Sequence, residues 1–256
     1  MAQITLTKEN TYNGSLILVT PEFPLMPYSV ADTMIPALEK QPEILIEKQA
    51  AKSLQELLTN IHCKNDIIAV SGFRTQEEQE QIWNDSIAEN GLNFTQKFVA
   101  VPGHSEHQTG LAIDLAENKE DIDFICPAFP YTGIFQDFRQ KATSFGFIER
   151  YMAGKESITG IGAEPWHFRY VGYPHSVIIT EKNMALEEYI YFLKENTDFG
   201  HPYTYHSSDA EIKISYISLD TNEPVKIDIP EKSSYFISGT NEGGIIFSLW
   251  RKHNEH

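Results

Sequence analysis

The chain has 256 residues, 41% of them hydrophobic, and its 20 basic and 36 acidic residues give a net charge of −16. This length can bury a full core, as one large domain or as one domain with an appendage. The acidic balance argues against nucleic acid and anionic membrane surfaces as partners, because both are bound largely through Lys and Arg. No run in the sequence approaches the roughly 20 apolar residues of a membrane-spanning helix.

The N-terminal segment contains no basic stretch followed by an apolar one, so we expect no secretory signal and predict a cytoplasmic protein. Cys63 and Cys126 have neither the spacing of metal ligands nor that of a disulfide framework. We expect both to be free thiols. The composition leaves the oligomeric state open.

Helix and strand signals alternate along the first part of the chain. Thr75, followed three residues later by Glu78, forms a capping box and predicts a helix that ends near Gly91. Further helices are predicted at residues 43–61, 133–145 and 183–196. Strands are predicted at residues 15–20, 66–71, 110–115 and 167–171.

The character of the sequence changes after about residue 200. Turn residues there separate short strand-like runs at residues 212–219, 224–229, 233–238 and 244–250. No motif that carries chemistry occurs in these runs. We therefore predict an α+β protein with a main domain over residues 1–197 and a β-rich C-terminal extension over residues 198–256.

Two histidines and an aspartate have the pattern of an open metal site. His107 and Asp114 lie in the string Ser105-Glu-His-Gln-Thr-Gly-Leu-Ala-Ile-Asp114, and His167 ends Glu164-Pro-Trp-His167. Two imidazoles and one carboxylate can occupy three positions of a tetrahedral zinc and leave the fourth for water, the arrangement of a catalytic zinc. One such residue by itself is more often a surface, hydrogen-bonded or turn residue, so the prediction depends on the whole set.

Glu164 lies three residues before His167 and is left over once the ligands are assigned. Its carboxylate could remove a proton from water at the metal and later deliver it to a leaving amine. Taken alone, a glutamate at this position would form a surface salt bridge, so its role depends on the other residues of the set. Pro165 indicates that Glu164 and His167 come from a turn entering a strand and not from a helix.

Arg74 ends a predicted strand immediately before a helix, a place where functional side chains often lie. A guanidinium fixed there could stabilise the oxyanion that forms during peptide hydrolysis. A structural arginine that binds loop carbonyls is an equal alternative from spacing alone. His104 neighbours the histidine motif without filling a ligand position, and we expect it outside the ligand set.

These motifs together resemble the VanY-type D-alanyl-D-alanine peptidases, a zinc metallopeptidase group that also holds VanX dipeptidases and bifunctional VanXY enzymes. The resemblance covers roughly residues 12–195. It depends on three motifs in the family's order: Ser71-Gly-Phe-Arg74 with Gln79, the string from Pro102 to Asp114, and the segment from Glu164 to Gly172. It implies a hedgehog-like fold in which helices pack on a small antiparallel sheet that carries the zinc.

The resemblance also implies a role for each matched position. One zinc ion per chain would be bound by three ligands: His107, Asp114 and His167. Glu164 would act as general base and then as general acid, and Arg74 would polarise the substrate carbonyl and stabilise the tetrahedral intermediate. Ser105 and Gln79 would bind the D-Ala-D-Ala end of the substrate through hydrogen bonds.

A cytoplasmic chain with these motifs most resembles the bifunctional VanXY enzymes. Such enzymes hydrolyse the free D-Ala-D-Ala dipeptide and also remove the terminal D-Ala from peptidoglycan pentapeptide precursors, which removes the target of vancomycin. We hypothesise this bifunctional activity. A second possibility is an L,D- or D,D-carboxypeptidase of cell-wall recycling. A third possibility is not an enzyme: a non-catalytic, hedgehog-like zinc-binding module.

Overall fold

The computed structural model describes residues 2–26, 33–219, 223–231 and 233–252. The strands in these residues are β1 (Ala2–Leu6), β2 (Met34–Leu38), β3 (Gln41–Glu47), β4 (Ile67–Ser71), β5 (Ala112–Glu117), β6 (Phe147–Tyr151), β7 (Glu164–Tyr170), β8 (Tyr203–His206), β9 (Ala210–Ser218), β10 (Val225–Ile229), β11 (Ser234–Gly239) and β12 (Gly244–Lys252). The α-helices are α1 (Lys48–Asn60), α2 (Gln76–Asn90), α3 (Leu92–Phe98), α4 (Gly133–Ala142), α5 (Glu156–Thr159), α6 (His175–Glu181) and α7 (Leu186–Asn196). Short 3-10 helices occur at Lys8–Tyr12, Glu106–Thr109 and Thr143–Phe145.

The chain divides into two compact units, one of Val19–Ala185 and one of Met1–Leu18 together with Leu186–His256. The sequence placed this boundary between residues 197 and 198. The structural boundary differs because β1 pairs with β10, and because the Thr197 hydroxyl at the end of α7 accepts a hydrogen bond from the Tyr216 N–H in β9. The N-terminal residues and α7 therefore belong with the β-rich extension.

The unit of Val19–Ala185 is built on a four-stranded antiparallel sheet in the order β4-β5-β7-β6. A hairpin of β2 and β3 forms a separate two-stranded sheet. Helices α1 and α4 contribute apolar faces to one core with the sheet, which fully buries Leu54, Leu57, Ile113, Phe138 and Phe168. Helices on a small antiparallel sheet confirm the predicted α+β class.

The strongest local signals were predicted correctly. Helix α2 begins with the capping box of Thr75 and Glu78, in which each side chain binds the other residue's backbone N–H, and it ends at Gly91. The helix predicted at residues 133–145 is present as α4 followed by a 3-10 turn. Gly146 closes that turn at φ +85°, in the left-handed region that glycine adopts without strain.

The helix predicted at residues 43–61 begins later than expected, at Lys48. Residues Gln41–Glu47 form β3 and pair with β2 instead. The Glu47 carboxylate accepts hydrogen bonds from two backbone N–H groups of the first turn and so caps α1. Apolar residues at 44 and 46 fit the two-residue period of a strand as well as one helix face, which is why the prediction was wrong over 43–47.

The strand predicted at residues 15–20 is not present, although Leu16 is fully buried. The Leu16 N–H donates to the Ser238 hydroxyl and the Leu18 N–H to the Thr240 carbonyl. Both partners lie about 220 residues away, and the first is a side chain and not a backbone group. An apolar run predicts burial, but it cannot predict this irregular pattern of hydrogen bonds.

Asn183 was predicted to cap a helix over residues 183–196, but it closes α6 instead. Its N–H donates to the Thr180 carbonyl, the Met184 N–H donates to the Ile179 carbonyl, and Asn183 has φ +50°. These two bonds around a left-handed residue form a Schellman motif, which ends a helix. Helix α7 then begins at Leu186.

The unit of Met1–Leu18 and Leu186–His256 contains a four-stranded antiparallel sheet in the order β11-β12-β9-β8 and the pair β1-β10. The predicted strands at 212–219, 224–229, 233–238 and 244–250 correspond to β9, β10, β11 and β12, which confirms the β-rich C-terminal region. No helix in the described ranges is long and apolar enough to cross a membrane.

Candidate metal centre and active site

Asp114 and His167 are direct partners across the central pair of strands in the four-stranded sheet. Asp114 lies in β5 and His167 in β7, and the antiparallel register places them opposite each other. Side chains of opposed residues lie on the same face of a sheet. Residues 53 positions apart in sequence are therefore brought into contact, and His167 Nδ1 lies 2.9 Å from Asp114 Oδ1.

His107 reaches the same place from a 3-10 helix, Glu106–Thr109, that precedes β5. Gly110 ends this helix at φ +76°, in the left-handed region, and the chain then enters the sheet. A Cβ at Gly110 would meet only the flexible end of the Met34 side chain at close range, so the positive φ is what favours glycine here. His107 Nε2 consequently lies 3.1 Å from Asp114 Oδ2.

The donor atoms of His107, Asp114 and His167 converge, and all lie within 4.8 Å of one another. Two ligands of a tetrahedral zinc are about 3.3 Å apart when each is 2.0–2.1 Å from the metal. The two imidazole-to-carboxylate distances, 3.1 and 2.9 Å, are close to that spacing. Two nitrogens and one carboxylate, all buried, fit a zinc ion, and these are the three predicted ligands.

The protonation of these residues also fits a metal site. The Gly72 carbonyl lies 2.7 Å from His107 Nδ1, so this nitrogen carries the proton and Nε2 keeps a free lone pair. Burial, aided by Arg74, lowers the pKa of His107 and keeps the ring neutral. Burial alone would raise the pKa of Asp114, but the two imidazoles outweigh it and hold that pKa below its ordinary value.

His167 differs from His107 because carboxylates face both of its nitrogens. Burial alone would lower its pKa, but the carboxylates of Asp114 and Glu106 next to its two nitrogens raise the pKa of His167 to about 9. A metal at this place must therefore displace a proton from His167, as metal binding to a protonated ligand requires.

Glu164 and His167 both face this centre because β7 is irregular. Residues three positions apart in a regular strand point to opposite faces. The register between β6 and β7 shifts here, since Glu149 pairs with Phe168 but Tyr151 pairs with Glu164. Such a bulge re-aims a side chain. Glu164 Oε2 consequently lies 3.7 Å from His167 Nδ1.

The environment of Glu164 suits proton transfer. Burial raises the pKa of Glu164 to about 8, while His167 and Arg74 act in the opposite direction and Asp114 adds to the rise. A carboxyl group whose pKa lies near the operating pH can both accept and release a proton. The sequence predicted a turn at this position, whereas Glu164 is itself the first residue of β7.

Arg74 is held in place by three side chains. Its Nε donates to the Ser71 hydroxyl at 2.9 Å, its Nη1 to Gln79 Oε1 at 3.3 Å, and its Nη2 to Asp114 Oδ2 at 3.3 Å. The guanidinium side chain is 17% exposed, so it is not sealed in the core. A rigid cation next to the candidate metal ligands can stabilise a developing negative charge.

Gln79 is fully buried, and both ends of its amide are bonded. Its Nε2 donates to the Ala100 carbonyl at 2.8 Å, and its Oε1 accepts from Arg74. Gln79 is not among the residues that line the cavity at the metal centre. Gln79 therefore contacts Arg74 and does not face the cavity.

A cavity of about 380 Å³ opens at the three ligands. Glu164, Arg74 and Ser105 also line it, so six of the seven predicted site residues share one cavity. Its apolar walls include Phe98, Val99, Phe124, Ile125 and Trp166. His104 lies outside this lining, with its Nδ1 2.7 Å from the Thr20 carbonyl, as expected for a histidine that is not a ligand.

Sequence reasoning missed a buried charge cluster behind His167. Glu106, Arg150 and Arg169 have side chains at most 1% exposed, and Glu106 Oε1 lies 2.8 Å from a nitrogen of each arginine. One signal was available: Arg169 follows His167 by two residues, so both share a face of β7. No local signal identified Arg150 as a partner.

Comparison with known proteins agrees with these motifs. Residues 43–173 match the family VanY, described as D-alanyl-D-alanine carboxypeptidase. The chain is 42% identical over 183 residues to the bifunctional D-Ala-D-Ala dipeptidase and D-Ala-D-Ala carboxypeptidase VanXYC of Enterococcus gallinarum. This alignment covers 71% of the chain and 96% of VanXYC.

Solved structures extend the similarity to nearly the whole chain. The vancomycin resistance D,D-dipeptidase VanXYg, in complex with a D-Ala-D-Ala phosphinate analogue, matches with a TM-score of 0.94 and 47% identity over 98% of this chain and 99% of that chain. A glutamate-to-alanine mutant of the D,D-pentapeptidase VanY from a VanB-type cassette, in complex with Zn(II), matches with a TM-score of 0.55 and 31% identity over 69% of this chain and 98% of that one. The predicted resemblance is confirmed: the chain belongs to the VanY family of D-alanyl-D-alanine peptidases.

Proposed function

We propose that this enzyme is a zinc-dependent D,D-peptidase that hydrolyses the D-Ala-D-Ala dipeptide and removes the terminal D-Ala from peptidoglycan pentapeptide precursors. One observation carries the proposal. The buried donor atoms of His107, Asp114 and His167 converge in the same cavity as Glu164 and Arg74. A set of ligands together with an acid–base group and a cation is what peptide hydrolysis requires.

Zinc would be held by Nε2 of His107, a carboxylate oxygen of Asp114 and Nδ1 of His167. When bound there, zinc supplies a Lewis acid that polarises the scissile carbonyl and lowers the pKa of the attacking water. Support for zinc comes from the donor set and from the Zn(II) complex of the VanY relative.

Glu164 is the residue that moves the proton. Its carboxylate accepts a proton from water as the water oxygen bonds to the carbonyl carbon. The carboxyl group then returns that proton to the amide nitrogen as the C–N bond breaks, so that D-alanine leaves as an amine. The raised pKa of Glu164, about 8, strengthens its carboxylate as the base that accepts the proton from water.

Arg74 stabilises the negative charge on the carbonyl oxygen of the tetrahedral intermediate. Gln79 and Ser71 hold the guanidinium in position, so we assign Gln79 a positioning role through Arg74 and not direct contact with substrate. Ser105 is buried at the cavity wall, and we assign its hydroxyl to the D-Ala-D-Ala end of the substrate.

We also infer activity on both substrates, because the chain is 42% identical to a bifunctional dipeptidase–carboxypeptidase and 47% identical to a D,D-dipeptidase. The enzyme would remove D-Ala-D-Ala termini, the target of vancomycin. We further place this activity in the cytoplasm. The free thiols of Cys63 and Cys126 agree with a reducing compartment. Fractionation of cells that express the chain tests this location.

Metal analysis combined with D-alanine release tests the function. We expect one zinc per chain and release of D-alanine both from free D-Ala-D-Ala and from UDP-MurNAc-pentapeptide. Turnover of only one substrate would contradict bifunctionality. Cleavage of an L,D-linked tetrapeptide instead would favour a wall-recycling L,D-carboxypeptidase. Bound zinc without any cleavage would favour the non-catalytic module.

A further inference from the structure

Glu106 is a fully buried carboxylate that the proposed reaction does not use. Its Oε1 lies 2.8 Å from Arg150 Nε and 2.8 Å from Arg169 Nη1, and neither arginine is more than 1% exposed. Three charges removed from water carry a large desolvation penalty, which an apolar core of the same volume would avoid. Stability alone therefore does not explain why these three charged side chains are buried together.

The second oxygen of Glu106 points at a metal ligand. Glu106 Oε2 lies 3.5 Å from His167 Nε2, and both atoms are buried with no hydrogen-bond partner among the described residues. The other ring nitrogen, Nδ1, faces Asp114 at 2.9 Å. His167 thus has one nitrogen directed at the metal ligands and one directed at Glu106.

His107 has the same arrangement with a neutral partner. Its Nδ1 donates to the Gly72 carbonyl, which leaves Nε2 for the metal. Histidines that bind a metal generally donate their other ring N–H to a carbonyl or carboxylate, which fixes the tautomer and strengthens the ligand. Between the two histidines, only His167 has a charged group in that place.

We infer that Glu106 is a positioning residue for the metal centre, which accepts the Nε2 proton of His167 and so directs Nδ1 to the metal. Arg150 and Arg169 both bind Oε1, which leaves Oε2 directed at the imidazole. This inference rests on the proposed zinc function and adds a residue to it. Glu106 touches neither substrate nor metal and acts through His167.

The test compares Glu106→Gln with a matched control, Glu149→Gln. Glu149 accepts hydrogen bonds from Arg139 at 2.8 Å and from Tyr131 at 2.6 Å, so it is also held by an arginine, but its partners are not metal ligands. Zinc affinity is measured by competition with a chromogenic chelator. We expect Glu106→Gln to weaken zinc binding about 10- to 100-fold and Glu149→Gln to leave it within about twofold.

The comparison separates a positioning role from a merely structural one. Loss of affinity in Glu106→Gln alone, with kcat lowered and KM little changed at saturating zinc, supports the inference. Equal zinc affinity in wild type and Glu106→Gln, or equal losses in both variants, overturns it. Wild-type protein that binds no zinc would instead overturn the proposed function, and this inference with it.

A measurement on the wild type decides the matter if Glu106→Gln does not fold. Zinc-loaded protein labelled with ¹⁵N-histidine is studied by NMR, and His167 is assigned through contacts with the Tyr151 ring, whose centroid is 4.8 Å away. We expect zinc on Nδ1 and a slowly exchanging, low-field proton on Nε2. Zinc on Nε2, or an Nε2 proton that exchanges rapidly with water, overturns the inference.

Discussion

The two units of this protein contain similar four-stranded sheets, but the side chains buried in the two sheets differ in charge. Each contains four antiparallel strands, and in each the two central strands are mostly buried. In β5 and β7 the buried residues include Asp114, His167 and Arg169. In β9 and β12 they are mainly apolar, such as Ile214 and Ile246, with serine hydroxyls as the polar exceptions.

This difference separates a core that only stabilises from a core that performs chemistry. Buried ionised groups each cost several kcal/mol before they are compensated, whereas buried apolar side chains contribute about 1.5–3 kcal/mol each. A sheet that retains a buried cluster of charges therefore gives up stability, and a functional site explains why. By this criterion the candidate site lies in the unit of Val19–Ala185, whereas β9 and β12 bury a mainly apolar core.

The largest expected effect is that of Glu164→Ala. We expect kcat for D-alanine release to fall by about 10²–10⁴-fold, the contribution of a general acid–base. Zinc content should stay at the wild-type level, because Glu164 is not one of the three proposed ligands. Metal analysis and D-alanine release on the same sample make the measurement. A fully active Glu164→Ala enzyme would refute the mechanism, and loss of zinc would show that Glu164 is a ligand.

Arg74→Lys is expected to have the next largest effect. Lysine keeps the charge but loses the fork that binds Ser71, Gln79 and Asp114 at once. We expect kcat to fall about 10²-fold through weaker stabilisation of the oxyanion, with zinc affinity little changed. Steady-state kinetics on the dipeptide measure this. A change confined to KM would instead indicate that Arg74 binds the substrate carboxylate.

Gln79→Leu tests whether Gln79 contacts the substrate itself or only positions Arg74. Leucine has a similar volume but cannot accept from Arg74 or donate to Ala100. We expect kcat/KM to fall about 10-fold, the value of one hydrogen bond to a charged group. In an Arg74→Lys background the same substitution should have a much smaller effect. Fully additive losses would show that Gln79 acts independently of Arg74.

The convergence of the candidate site residues was predictable because histidine, aspartate and glutamate side chains have distinctive chemistry. Histidine, aspartate and glutamate in the spacing of His107, Asp114, Glu164 and His167 have few other common uses as a set. Local hydrogen bonding made α2 predictable too, since the Thr75–Glu78 box is complete within four residues.

What could not be predicted depends on contacts between distant parts of the chain. The bulge that turns Glu164 toward His167 is visible only in the pairing of β6 with β7. Glu106 sits between two predicted site residues, yet its partners Arg150 and Arg169 are 44 and 63 positions away. Residues 15–20 failed as a strand for the same reason, because their hydrogen-bond partners lie near the other end of the sequence.

The smallest expected effect on activity is that of a substitution in the β-rich extension. It tests whether a buried apolar residue there affects stability alone. Ile214 in β9 is fully buried, so Ile214→Val should lower the free energy of unfolding by about 1 kcal/mol. We expect kcat, KM and zinc content to remain within about twofold of wild type, because an ordinary core residue acts only on stability. Chemical denaturation and kinetics at a temperature where the variant is folded provide the two measurements. A folded Ile214→Val protein with a clearly lower kcat would mean that the extension takes part in the reaction, and buried charge would then no longer separate the two units.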